Sequence, residues 1–126
     1  MPHDQKRRDL VKCEDMRLFA ERAIRYVADM TLEAFAADDI VQDAVVYSVS
    51  VIGEAARRVS VETQSAHSAI PWSEIIGMRH VLIHDYARVD AARVYEVVKV
   101  DLPALLDQLT VLIRNLEADV GWTDEQ

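Results

Sequence analysis

The stretch VQDAVVYSVSVIGEAARRVS, residues 41–60, places Val41, Val45, Ser48, Ile52, Ala55 and Val59 three or four positions apart. That spacing aligns all six on one face, so it predicts an amphipathic helix of roughly five turns that turns one side to a core. Just before it, AADDI offers Asp38 or Asp39 as the N-cap. Over residues 9–35, Met16, Phe19, Ala23, Val27 and Met30 repeat the same spacing. Two long helices joined by a short connection predict an antiparallel hairpin.

The rest of the chain agrees with helices. Three glycines and three prolines in 126 residues leave almost no punctuation for hairpins or a many-stranded sheet. Residues 61–70, VETQSAHSAI, are polar and aperiodic and read as a loop. Pro71 sits where a first helical turn tolerates it, so a third helix starts near Pro71 or Trp72 and runs through GMRHVLIHDY, residues 77–86. Asp90 is the expected cap of a fourth helix through Val94, Val97 and Val98. Asp101 and Pro103 mark a break or kink before a fifth segment with Leu105, Leu109, Leu112, Ile113 and Leu116. The expected architecture is all-α, an up-and-down bundle of four to five helices in a single domain, residues 1–126, with a tail that frays from about residue 118.

Composition narrows the function. Lys and Arg number 14 against 22 Asp and Glu, and a net charge of −8 argues against broad, non-specific nucleic-acid binding. It leaves room for a local basic site, and 11 of the 14 cations are arginines, whose planar forks grip phosphate and carboxylate. The single cysteine, Cys13, excludes an internal disulfide and a multi-cysteine metal cluster. No stretch has the layout of a signal peptide or approaches the roughly 18 apolar residues of a membrane span, so a soluble, cytoplasmic protein is expected.

The chemistry concentrates in GMRHVLIHDY, where Arg79, His80, His84, Asp85 and Tyr86 interrupt apolar Val81, Leu82 and Ile83. The three apolar residues are expected to anchor the segment in the bundle. On one continuous helix Arg79 and Tyr86 lie about 20° apart and His80 and His84 about 40° apart, but Arg79 and His84 are separated by about 140°. Joint action of Arg79 and His84 then requires either a distorted helix or a second chain completing the site. Three accounts of these residues remain open at this point. They are satisfied surface or interface groups; or His80 and His84 bind a metal with Asp85 or Glu54 as third ligand, although Val81 stands where zinc-protease helices carry glutamate; or Arg79 and His84 work on a phosphodiester, imidazole moving protons and guanidinium holding phosphoryl oxygens.

The string R-x-x-x-x-H-x-Y formed by Arg79, His84 and Tyr86, with VIGEAARRVS at 51–60, IPWSEIIGMRH at 70–80 and RVDAARVYEVVKVDLPALL at 88–106, resembles HepT-like toxins of the HEPN superfamily. The resemblance runs over residues 40–106 and is looser on either side. It implies a homodimeric helical bundle with two motifs facing one cleft. It further implies a metal-independent endoribonuclease without cofactor, in which Arg79 and His84 are catalytic and messenger or transfer RNA is the substrate. The implied partner is an MNT-type nucleotidyltransferase antitoxin, as in type VII toxin–antitoxin pairs, which adds AMP to the motif tyrosine, here Tyr86. Where the family often has asparagine this chain has His80, which could orient the scissile phosphate or titrate itself. Glu54 is a candidate partner orienting Arg79 or His84, or an ordinary surface acid, and Asp85 is a further supporting position. Arg57, Arg58, Arg88 and Arg93 are either RNA-phosphate contacts or salt-bridged surface groups, and Trp72 belongs to a core or interface. The alternative is a non-catalytic HEPN module that holds a nucleotidyltransferase or a nucleotide.

Overall fold

The computed structural model describes residues 2–84 and 88–121, with side chains for all of these except Pro2 and His84. The fold is all-α. Its elements are α1 (Pro2–Val27), α2 (Leu32–Ala36), α3 (Asp39–Arg57), α4 (Val61–Ala66), α5 (Trp72–Leu82), the two-residue strands β1 (Ile83–His84) and β2 (Arg88–Val89), α6 (Ala91–Glu96), a π turn (Val97–Asp101) and α7 (Leu102–Asp119).

The α3 stripe behaves as its spacing requires. Val45, Ser48, Ile52, Ala55 and Val59 are buried and Val41 half-buried; the stripe packs on α1, and its apolar members share one core cluster with Cys13, Met16, Ala20, Ala23 and Val27 of α1 and Leu105, Leu109, Leu112 and Leu116 of α7. α1 and α3 run antiparallel: Asp9, near the start of α1, is bonded to Ser60, just past the end of α3. Lys6 reaches Asp119 at 3.1 Å, which sets α7 antiparallel to α1 as well.

Four expectations need correction. The helix expected over residues 9–35 stops at Val27, because Thr31 caps a separate turn, α2, accepting from the Ala34 N–H at 3.1 Å. That turn buries Phe35 against Tyr95, ring centroids 5.9 Å apart. Residues 61–66 of the expected loop form α4, capped by Ser60. Third, ordered helix runs slightly past the expected limit of about 118: α7 continues to Asp119, Val120 is buried, and Gly121 has a φ of 66°, the left-handed value that suits a residue without Cβ. Residues 122–126 lie outside the described ones. The fourth correction concerns α5, which stops at Leu82 instead of running on to Tyr86. Ile83 is extended, and the Leu82 carbonyl accepts from Asp90 N–H at 2.9 Å instead of from a next helical turn. Ile83 pairs with Val89 and His84 with Arg88, antiparallel.

The caps foreseen at Asp38 and Asp90 are present, accepting from Val41 and Arg93 N–H. The Asp101–Pro103 feature is neither a break nor a simple kink. Pro103 has no N–H to give, and the ladder widens by one residue so that Leu102 N–H reaches Val97 O, leaving α6 and α7 helically continuous through the π turn.

Two local constraints fix the arrangement. Asp9 is fully buried, and its carboxylate accepts from Gln5 Nε2 at 3.0 Å, Ser60 N–H at 3.0 Å, Ser60 Oγ at 2.6 Å and Thr63 Oγ1 at 2.7 Å. Burial alone would raise this carboxyl, but the hydrogen bonds from Ser60, Thr63 and Gln5 outweigh it and hold it below its ordinary value of 3.8. Gly53 is the second constraint. A Cβ there would lie 3.2 Å from the Ile75 carbonyl oxygen and 3.4 Å from that of Ile76, so α5 rests directly on the α3 backbone.

Gly53→Ala should therefore cost about 1–3 kcal/mol through overpacking, because the α5 backbone would have to shift by a fraction of an ångström to admit the Cβ. Thermal unfolding checks this, and an unchanged Tm would contradict it. For Asp9, the native carboxyl titrates below the unfolded one, so its contribution is complete above the ordinary value of 3.8 and is lost as pH falls below it. Asp9→Ala, which strands the half-buried Ser60 and buried Thr63 donors, should lose about 1–3 kcal/mol at neutral pH. Asp9→Asn should flatten the acid limb of stability against pH, measured by urea unfolding over a pH series; an unaltered limb would contradict the assignment.

Candidate active-site groove

α3 has a second face. Asp43, Tyr47, Ser50 and Glu54 follow one another by three or four residues on the side away from the core stripe, with Val46 next to Tyr47. With Arg79 of α5, Ile83 of β1 and Val89 of β2 they line an open groove of 690 Å³. The Gly53 contact makes it possible: backbone-to-backbone approach at Ile75 and Ile76 brings Arg79, one turn further along α5, beside this face. A separate cleft of 330 Å³, lined in part by Glu74, Met78, Asp101 and Leu105, does not have Arg79 among its described lining residues.

Arg79 is exposed, and among the described residues no carboxylate pairs with it. A guanidinium in an open groove without an internal counter-ion is available to an external anion. Glu54 lines the same groove, but its oxygens are already taken. Arg57 Nη2 donates to Oε2 at 2.6 Å and Arg58 Nε at 2.9 Å. Hydrogen bonds from Arg57 and then Arg58 hold the Glu54 carboxyl below the ordinary carboxylate range, and Glu54 in turn raises Arg57.

The remaining predicted residues divide. His80 is exposed and is not part of the groove wall. His84 follows Arg79 on extended backbone rather than on the same helix, which removes the 140° separation of an unbroken helix. The His84 side chain, Asp85 and Tyr86 lie outside the described residues. Of the three expected anchors only Leu82 is fully buried; Ile83 is half-buried and Val81 is 52% exposed, because the helix end turns it to solvent. Among the described residues no three His, Cys, Asp or Glu side chains gather as a metal site would need.

Of the four other arginines, Arg57 and Arg58 pair with Glu54, and Arg93 with Glu96 at 2.7 Å, the salt-bridged alternative. Arg88 is exposed beside the groove-lining Val89. Trp72 is core, its indole N–H donating to the His67 carbonyl at 3.1 Å. His67, which has no patterned neighbours in sequence, lies within hydrogen-bond distance of Thr63 O and Asn115 Nδ2. Burial pushes the Cys13 thiol up to about 12, far from a nucleophile's range. The sequence reading passed over Asp43, Tyr47 and Ser50. Their signal was available, a polar and aromatic stripe running i, i+4, i+7 and i+11 to Glu54 beside the core stripe.

The family described as ribonuclease HepT-like matches residues 16–112. The chain is 35% identical over 92 residues to a protein of Methanocaldococcus jannaschii named "Gamma-glutamylcyclotransferase and putative RNase"; the match covers 73% of this chain and spans 41% of that relative's length. It is 34% identical over 94 residues to a "Putative RNase" of Caldanaerobacter subterraneus subsp. tengcongensis, covering 75% of this chain and 84% of the relative. It is also 34% identical over 92 residues to a "Probable ribonuclease HepT" of Thermococcus cleftensis, covering 73% and 84% respectively. No solved structure matches the chain.

If Glu54 neutralises Arg57 and Arg58 beside the groove, Glu54→Gln uncovers two cations and should delay elution from heparin-agarose to higher salt. Elution at the salt of the parent protein would contradict that role.

Proposed function

Because the chain belongs to the HepT-like ribonuclease family, we propose that it is a metal-independent endoribonuclease and the toxin of a type VII pair with an MNT-type nucleotidyltransferase. Its substrate is messenger or transfer RNA, cut at a site shared by two copies of the chain. The observation that carries this reading is the exposed Arg79, without a carboxylate partner among the described residues, in an open groove, with α5 ending at Leu82 so that His84 stands two residues beyond the helix.

The chemistry follows from the two groups. The ribose 2′-hydroxyl attacks the adjacent phosphorus and the bond to the 5′-oxygen breaks. Imidazole, which titrates near neutrality, takes the hydroxyl proton or returns one to the leaving oxygen, the role assigned to His84. Charge grows on the non-bridging oxygens, where the Arg79 guanidinium is strongest. The products are a 2′,3′-cyclic phosphate and a 5′-hydroxyl end, and no step draws on a metal ion.

Control falls to Tyr86, two residues beyond His84. AMP added there by the nucleotidyltransferase would bring a bulky anion into the motif segment, where it could pair with a cation that otherwise holds the RNA phosphate. The net charge of −8 supports a protein that recognises RNA locally rather than by general attraction.

Incubation of the purified protein with total RNA in EDTA should give cleavage, reduced roughly 100-fold or more in Arg79→Ala and in His84→Ala. The protein co-expressed with its nucleotidyltransferase should gain mass in AMP units, and Tyr86→Phe should not. Absence of cleavage by a normally assembled protein would instead favour a non-catalytic HEPN binding module. Activity lost only on chelation would favour a metal enzyme.

A further inference from the structure

The α3 wall of the groove holds two groups that the proposed chemistry does not use. Tyr47 is 63% exposed although aromatic, and it lines the groove with Arg79. Its ring is held from one side by Phe19, edge-on at 6.0 Å and 69°, and Phe19 is itself covered by the Arg22 guanidinium 4.8 Å from its centroid. The ring is thus supported by Phe19 while most of its surface stays open, which is what a stacking platform requires. Asp43 lies one helical turn before Tyr47 on the same stripe, lines the same groove, and is exposed; among the described residues no cation or hydrogen-bond donor pairs with its carboxylate.

An unpaired carboxylate repels phosphate and only accepts hydrogen bonds, so beside Arg79 it does not serve the RNA backbone. It serves a base edge that offers donors. Single-stranded RNA is read in that way, each base stacked on an aromatic ring and hydrogen-bonded along its Watson–Crick edge. Guanine presents two adjacent donors there, N1–H and the 2-amino group, which match the two oxygens of one carboxylate. Adenine and cytosine present an amino group beside an acceptor, and uracil a single N–H between two carbonyls. The stripe from Asp43 to Glu54 spans about 16 Å at 1.5 Å per residue, enough for a base at one end while Arg79 holds a phosphate.

We propose that Tyr47 and Asp43 form a guanine subsite in this groove, Tyr47 stacking on the base and Asp43 accepting from its Watson–Crick edge. The subsite rests on the ribonuclease reading for its ligand class. It makes the enzyme selective for a guanine near the scissile phosphate, with Arg79 as the phosphate anchor.

The test uses short fluorescein-labelled RNAs made uncleavable by 2′-deoxy substitution at the central nucleotide, with guanine, hypoxanthine, adenine, cytosine or uracil placed next to it. Binding is read by anisotropy on the full chain. The parent should bind the guanine probe roughly tenfold tighter than the uracil probe, with hypoxanthine, which lacks the 2-amino donor, between them. Asp43→Asn should collapse that ranking, and Tyr47→Ala should weaken every probe about tenfold while Tyr47→Phe binds like the parent. A parent without base preference, a ranking unchanged in Asp43→Asn, or a Tyr47→Ala chain that sediments as a smaller assembly would each overturn the subsite. Unmodified probes separate the two claims. Cleavage without base preference removes the subsite and leaves the ribonuclease; a guanine preference without cleavage does the reverse.

Discussion

The contact at Gly53 is the constraint on which the groove depends. A helix pair separated by side chains leaves 8–10 Å between axes, whereas at this point α5 lays the Ile75 and Ile76 carbonyls against a position that holds no Cβ. The closeness is local and directional. It puts Arg79 next to the Asp43–Glu54 face of α3, and it does so while Ile52, Ala55 and Ile75, neighbours of the same contact, stay in the core. Any larger side chain at 53 would push the arginine away from the wall that completes its groove. The glycine in IGEAA is thus a spacer between the two halves of the site.

The second determinant is where α5 stops. A helix that ran through residue 86 would send Arg79 and His84 to different sides, about 140° apart. The switch of the Leu82 carbonyl from a helical partner to Asp90 N–H ends the helix two residues before His84 and ties the chain back through the Ile83–Val89 pairing. Asp90 then caps α6. One short return therefore does three things: it frees His84 from helical geometry, closes the end of the groove with Ile83 and Val89, and launches the continuous α6–α7 helix that packs on α1.

Much of this was legible in the sequence because it is local. Core stripes at three-four spacing, and the caps at Asp38 and Asp90, involve residues within one turn of each other, and they appear where the pattern puts them. What escaped was long-range or displaced by packing. Ser60 caps α4 with a hydroxyl that also bonds Asp9, 51 residues away, so the polar run 61–66 looked like loop until its partner was in place. Thr31 breaks the first helix in the middle of an intact apolar rhythm because Phe35 has a pocket beside Tyr95. Within the site, the motif pointed to Arg79 and His84, but Tyr47 and Asp43 carry no motif. They matter only once α5 lies across α3, and Glu54, visible in the same segment, turns out to hold Arg57 and Arg58 rather than Arg79.

The central claim is that an arginine and a histidine cut RNA through its own 2′-hydroxyl. The most direct measurement is the chemistry of the cut ends on a defined oligoribonucleotide incubated in chelator, alongside the same oligonucleotide with 2′-deoxyribose at the cleavage position. The account predicts a 2′,3′-cyclic phosphate and a 5′-hydroxyl from the first and no cutting of the second. Cutting of the deoxy-substituted strand, or ends that carry a 5′-phosphate, would contradict it.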